Sequence, residues 1–132
     1  MKTIDTNFRL LNELTGGLLN FISSPKGHLK LKSQGYMDLT IERLGANEVS
    51  LTHYYLQNGD LVPDPDMQIE IDFEKHSASA TTFQNSMIFQ TVHLSDGGIN
   101  LKLQKDLNLF LHDWLKNLKA QGFYQNPRVA SD

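Results

Sequence analysis

The chain has no cysteine, which excludes disulfides, thiolate metal sites and a thiol nucleophile together. That fits a reducing compartment, and a cytoplasmic protein is expected. Arginine is scarce: Arg9, Arg43 and Arg128 are all there is. Over 132 residues the net charge is −3, and no basic stripe is present to displace counterions from phosphates, so nucleic acid is not an expected partner. The lysines fall in small groups (Lys26, Lys30 and Lys32, then Lys102, Lys105, Lys116 and Lys119) that read as solvated strand and helix faces. No apolar run approaches the ~20 residues of a membrane span. Residues 1–9 include Asp5 and Arg9 where a signal peptide needs its apolar region. Gly-rich phosphate loops, a nucleophile elbow and a Walker-type lysine are absent too, and no cofactor is expected.

What is present suits one domain, 1–132, with a 39% hydrophobic composition sufficient for a core. Phe8, Leu11, Leu14 or Thr15, and Leu18 recur at helical spacing after Asp5 or Thr6, either of which would cap the helix. Gly16-Gly17 should break or bend it, and Pro25 with Gly27 should end it. From residue 28 to about 94 the period becomes two. Leu29 and Leu31, then Met37, Leu39 and Ile41, then Val49, Leu51, His53 and Tyr55, then Met67, Ile69, Ile71 and Phe73 each alternate with polar neighbours. Such alternation marks strands buried on one face and wet on the other. Their short connections allow hairpins only. Two weaker strands are expected over 78–84 and 88–93. A second helix over 101–121 follows, with Leu103, Leu107, Phe110, Leu111, Trp114, Leu115 and Leu118 on one stripe and Gly122 placed to close it. The expected fold is α+β in two layers: an N-terminal helix, an antiparallel sheet of 4–6 strands in consecutive hairpins, and a C-terminal helix packed on one sheet face. The ordered core should cover 5–123, with 124–132 a flexible tail.

Chemistry is concentrated between residues 53 and 67. Asp60, Asp64 and Asp66 supply three carboxylates that, converging, would suit a hard cation such as Ca²⁺ or Mg²⁺. The favoured reading is a rigid loop, with Asn58-Gly59 supplying positive φ and Pro63 and Pro65 fixing the path. His53 lies on the buried phase of its strand. It reads either as a general base or ligand beside Asp60, or, preferably, as a core histidine bonded to a carboxylate or carbonyl, with Asp60 the nearest candidate. His28, His76, His93 and His112 lack the i, i+4 pairing of a helix-borne zinc site. Tyr36 and Tyr54 are expected on the wet sheet face with Thr40 and Thr52. Base stacking there would want interleaved arginines, and Glu42, Glu48, Glu70 and Asp72 oppose phosphate. A protein surface is the preferred partner for that face.

Four blocks, Met37-Asp38-Leu39-Thr40-Ile41-Glu42, Ser50-Leu51-Thr52-His53-Tyr54-Tyr55, Leu61-Val62-Pro63-Asp64-Pro65-Asp66-Met67 and Phe110-Leu111-His112-Asp113-Trp114-Leu115, give the chain a family likeness. In order and spacing it resembles the YqiB-like family of small bacterial proteins of unknown function over about residues 7–122. The stretch His53-Tyr54-Tyr55-Leu56-Gln57-Asn58-Gly59-Asp60 is also similar to one in uncharacterised phage and plasmid domains. The turn at 57–60 departs from the YqiB pattern. The resemblance implies a stand-alone cytoplasmic bacterial protein and supplies no catalytic residues. The expected function is a non-enzymatic protein-binding or regulatory module, closed on a protein partner or as a homodimer. The alternative is a small metal-dependent or hydrolytic enzyme built on His53, Asp60, Asp64 and Asp66.

Overall fold

The computed structural model describes residues 2–125 and 129–130. Helices α1 (Lys2–Thr15) and α2 (Leu18–Ser23) precede strands β1 (His28–Leu31), β2 (Leu39–Gly45), β3 (Glu48–Gln57), β4 (Asp60–Asp72), β5 (Ser77–Ala80), β6 (Thr82–Gln84) and β7 (Phe89–Thr91). Helix α3 (Leu101–Ala120) and β8 (Val129–Ala130) follow. Helix α1 starts earlier than a cap at Asp5 or Thr6 would allow. Asp5 instead occupies the first turn, where its charge complements the positive helix end. The break at Gly16-Gly17 is real. Leu18 N–H donates to the Asn12 side chain at 2.8 Å, so the second helix starts against the end of the first. Arg43 then closes α2: its Nη1 donates to the Ile22 carbonyl at 2.9 Å and to the Ser24 carbonyl, carbonyls that a helix end leaves without partners.

The strands form one antiparallel sheet in the order β7-β6-β4-β3-β2-β1-β8, with β5 also paired to β4. Successive strands are hairpin neighbours from β1 to β5, as the short connections dictated. Eight strands exceed the expected four to six for two reasons. The segment 78–84 divides at Thr81 into β5 and β6, although Thr81 still donates its N–H to Gln68 at 2.8 Å. The second reason is β8, which pairs with Leu29 and Lys30 of β1. Of the tail expected to be flexible, Tyr124 is buried and Val129–Ala130 are paired. Residues 126–128 and 131–132 lie outside the described residues.

The aspartate- and proline-rich segment 60–66 is strand, not loop. Asn58 and Gly59, with φ of 53° and 85°, form a two-residue turn of the type whose twist matches antiparallel strands. Asp60 therefore already faces Gln57 in the ladder. The pairing shifts where Thr52 faces Asp66 and Tyr54 faces Pro63. His53 thus stands opposite both Asp64 and Pro65, which makes a bulge. The Asp64–Pro65 peptide is cis.

One sheet face is covered by the helices. Leu11 and Leu14 of α1 and Leu111, Leu115 and Leu118 of α3 are fully buried with Leu31, Leu39, Ile41, Leu51, Met67 and Ile69 of the strands. Asn108 joins these layers. Its Oδ1 accepts from Ala80 N–H at 2.7 Å, its Nδ2 donates to Ser79 Oγ at 3.0 Å, and its own carbonyl accepts from the Asn7 side chain at 3.3 Å. Helix α3 begins on Asn100, whose side chain accepts from Leu103 N–H, and it ends at the expected glycine. Gly122 has φ of 92° and donates to Lys119, while Phe123 N–H donates to Leu118. That bond pair is a Schellman cap, and it folds Phe123 back into the core. No helix among the described residues is long and apolar enough to cross a membrane.

Candidate functional site

The sheet face opposite the helices is open. Along β1–β4, His28, Lys30, Thr40, Glu42, Ser50, Thr52, Tyr54, Asp66, Gln68 and Glu70 share it by alternation. A concavity of ≈ 480 Å³ lies on this face, lined by His28, Lys30, Asp38, Thr40, Glu42, Tyr54, Leu56 and Leu61. No helical residue contributes to that lining. Leu56 and Leu61 are direct cross-strand partners beside the hairpin turn, and they are 72% and 65% exposed. Two leucines side by side in water, rimmed by polar groups, form the kind of patch that marks a contact surface.

The electrostatics of the face are acidic. His28 pairs with Glu42 at 3.5 Å, and Asp38 is held by Lys30 at 3.6 Å and Lys32 at 3.5 Å. Glu48 stands directly across from Glu70. Like charges so placed repel, and among the described residues neither is in an ion pair. Asp66 accepts from Thr52 Oγ1 at 3.1 Å. Burial raises its pKa, the Thr52 bond opposes the rise and Glu42 adds to it. The Tyr54 hydroxyl is also pushed up, first by burial and then by Glu42 and Asp66.

His53 belongs to the other side of the sheet. It is 8% exposed, and its Nδ1 lies 3.1 Å from the Asp38 carbonyl. A carbonyl can only accept, so Nδ1 carries the proton. The ring sits between Trp114 at 5.6 Å and Phe123 at 5.7 Å. Burial lowers its pKa, with the backbone bonds to Asp38 and Met37 opposing. The expected partner, Asp60, is elsewhere: it is exposed beside the turn, opposite Gln57. Asp66 is on the open face with Thr52, and Asp64 is in the bulge. Among the described residues no group of three or more His, Asp or Glu side chains is placed to hold a metal ion.

Tyr36 and Tyr54 do not share a surface either. Tyr54 is on the open face, whereas Tyr36 lies in the β1–β2 connection and packs on Phe123 at 6.3 Å, at the end of the helical layer. The strand phase that would have placed it on the sheet fails because β2 starts only at Leu39. Leu56 and Leu61 were the residues not singled out by pattern. Leu56 is out of phase with the core positions of β3, a signal present in the sequence, whereas Leu61 is in phase with Met67 and Ile69 and reaches the open face only across the bulge.

No curated protein and no solved structure matches the chain. The motif likeness pointed to a YqiB-like family; the family model that matches is another, although it too is one without an assigned activity. Over residues 6–124 the chain matches the model described as Domain of unknown function (DUF6908), and to that family it belongs.

Proposed function

We propose that this protein is a non-enzymatic protein-binding module of the bacterial cytoplasm, and that it takes its partner on the open sheet face. The observation that carries this reading is the Leu56–Leu61 pair, exposed on the rim of a concavity that the fold itself leaves uncovered. The fitting partner has apolar anchor side chains for the leucines and Tyr54, with a basic rim to answer Glu42, Glu48, Asp66 and Glu70. A second copy would bring the same acidic strip and the same −3 charge, and is the poorer occupant. The same carboxylates oppose a nucleic-acid backbone. The enzymatic alternative requires His53 to meet at least two of Asp60, Asp64 and Asp66. It has less support, because His53 is sealed between rings and bonded to a backbone carbonyl.

A photo-crosslinking residue at position 56, compared with one at Lys102 on the exposed side of α3, tests this in the native host. Adducts with other proteins at 56 and none at 102, weakening as salt rises, are the expected result. Equal labelling at both positions, no adduct, or adducts with copies of this chain alone would reject the reading.

A further inference from the structure

The helical layer carries a second feature, independent of the open-face reading. Between α1 and α3 runs a crevice of ≈ 520 Å³ whose lining includes Thr6, Arg9 and Leu10 from one helix and His112, Lys116 and Lys119 from the other. The spacings are i, i+3, i+4 and i, i+4, i+7, so each trio forms one helix face. In a chain of net charge −3, this crevice gathers three cations and a histidine with no carboxylate in its lining. Glu13, outside that lining, pairs with Lys119 at 2.9 Å.

Arg9 and Lys116 have no ion-pair or hydrogen-bond partner among the described residues. Lys119, in the last turn of α3, is explained by the negative end of the helix dipole. That explanation does not extend to Arg9, which is on α1 and faces the same cavity. Two cations on facing helices, with no carboxylate in the lining, make this cleft a positive site that favours an anion. His112, on the α3 wall, holds a buried Nδ1 that also lacks a partner.

We infer that this crevice binds a small phosphorylated molecule, with its phosphate between Arg9 and Lys116. A guanidinium fork and a lysine point charge are a common pairing for phosphate oxygens, and Thr6 adds a hydroxyl donor. The volume is in the range of small-molecule sites. No Phe, Tyr or Trp is in the lining among the described residues, and the apolar part of the cavity is Leu10 and Ala120, which suits a compact aliphatic body for the remainder of the ligand.

Calorimetric titration with inorganic pyrophosphate, and in parallel with citrate at matched ionic strength, tests the site on the whole chain. Saturable pyrophosphate binding is expected. Arg9→Gln and Lys116→Gln should each weaken it by about tenfold or more, as loss of a charge-assisted hydrogen bond does. Lys75→Gln, in the exposed turn between β4 and β5, should leave it unchanged. Far-UV circular dichroism checks that the variants fold; both positions are exposed, and either one alone suffices for the test. Absence of saturable binding, equal binding by the Gln variants, or binding of citrate without pyrophosphate would overturn the inference.

Discussion

His53 shows what a strand phase does and does not determine. Alternation with Val49 and Leu51 placed it on the buried face, and it is there. Its contacts were not legible, because Asp38 comes from the β1–β2 connection and Phe123 from beyond a helix end. It stands inside a row of rings that runs Phe83, Phe110, Trp114, His53, Phe123, Tyr36, with neighbouring centroids 5.2 to 6.3 Å apart. A histidine in that row is held neutral. Its pKa falls below the ordinary 6.5, so between that lower value and 6.5 the unfolded chain binds more protons than the folded one. Stability from the neutral ring is thus complete above pH 6.5 and drains away as pH falls through the folded-state pKa. His53→Phe keeps a ring in the row and removes the proton site. Urea denaturation at a series of pH values should show the wild-type slope in that window and a flatter profile for the variant. An unchanged slope would assign the effect to another group. Asp66, whose folded pKa is raised, contributes with the opposite sign: stability declines as pH rises from 3.8 through its folded value, so the sign of the slope distinguishes the two groups.

At the level of elements, the periods of two and 3.6 identified the strands and both main helices. The exception, residues 60–66, has a physical cause. Aspartate and proline are turn formers by local chemistry, yet here the turn is already complete in Asn58-Gly59. Beyond the bulge, β4 pairs outward with β6 only at Asp66. The outer edge along 60–65 therefore has no strand neighbour among the described residues, and proline's missing N–H is tolerated on such an edge. The end of α3 was half legible. Gly122 announced the stop, but nothing in the helical period announced that Phe123 would be fully buried. Its burial follows from the cap, which turns the residue after glycine back over Leu118. Phe123→Ala should lower stability by about 3–5 kcal/mol, as loss of a buried phenyl ring does. Equilibrium denaturation checks this, and a loss below about 1 kcal/mol would mean the ring is not a core member.

Across the whole molecule the two-layer design follows from the pattern, since a sheet wet on one face and helices apolar on one stripe have few other ways to meet. The polar residues that join the layers do not follow from it. Asn7 and Asn108 sit in helical stripes, where only the neighbouring strand edge decides whether an amide can be buried. Asn108 is buried because Ala80 and Ser79 of β5 offer a donor and an acceptor. Asn108→Ala leaves the Ala80 N–H buried without its acceptor. The expected loss is about 1–3 kcal/mol, readable by chemical denaturation. This junction also has a temporal side. The hairpins of the sheet close between near neighbours, whereas the Asn7–Asn108 bond spans 101 positions and must wait for the costliest loop to shut. Stopped-flow measurements on Asn7→Ala, which removes the donor of that bond, should therefore find refolding at the wild-type speed and unfolding accelerated. The seam between α1 and α3 would be the last part of the protein to assemble and the first to open.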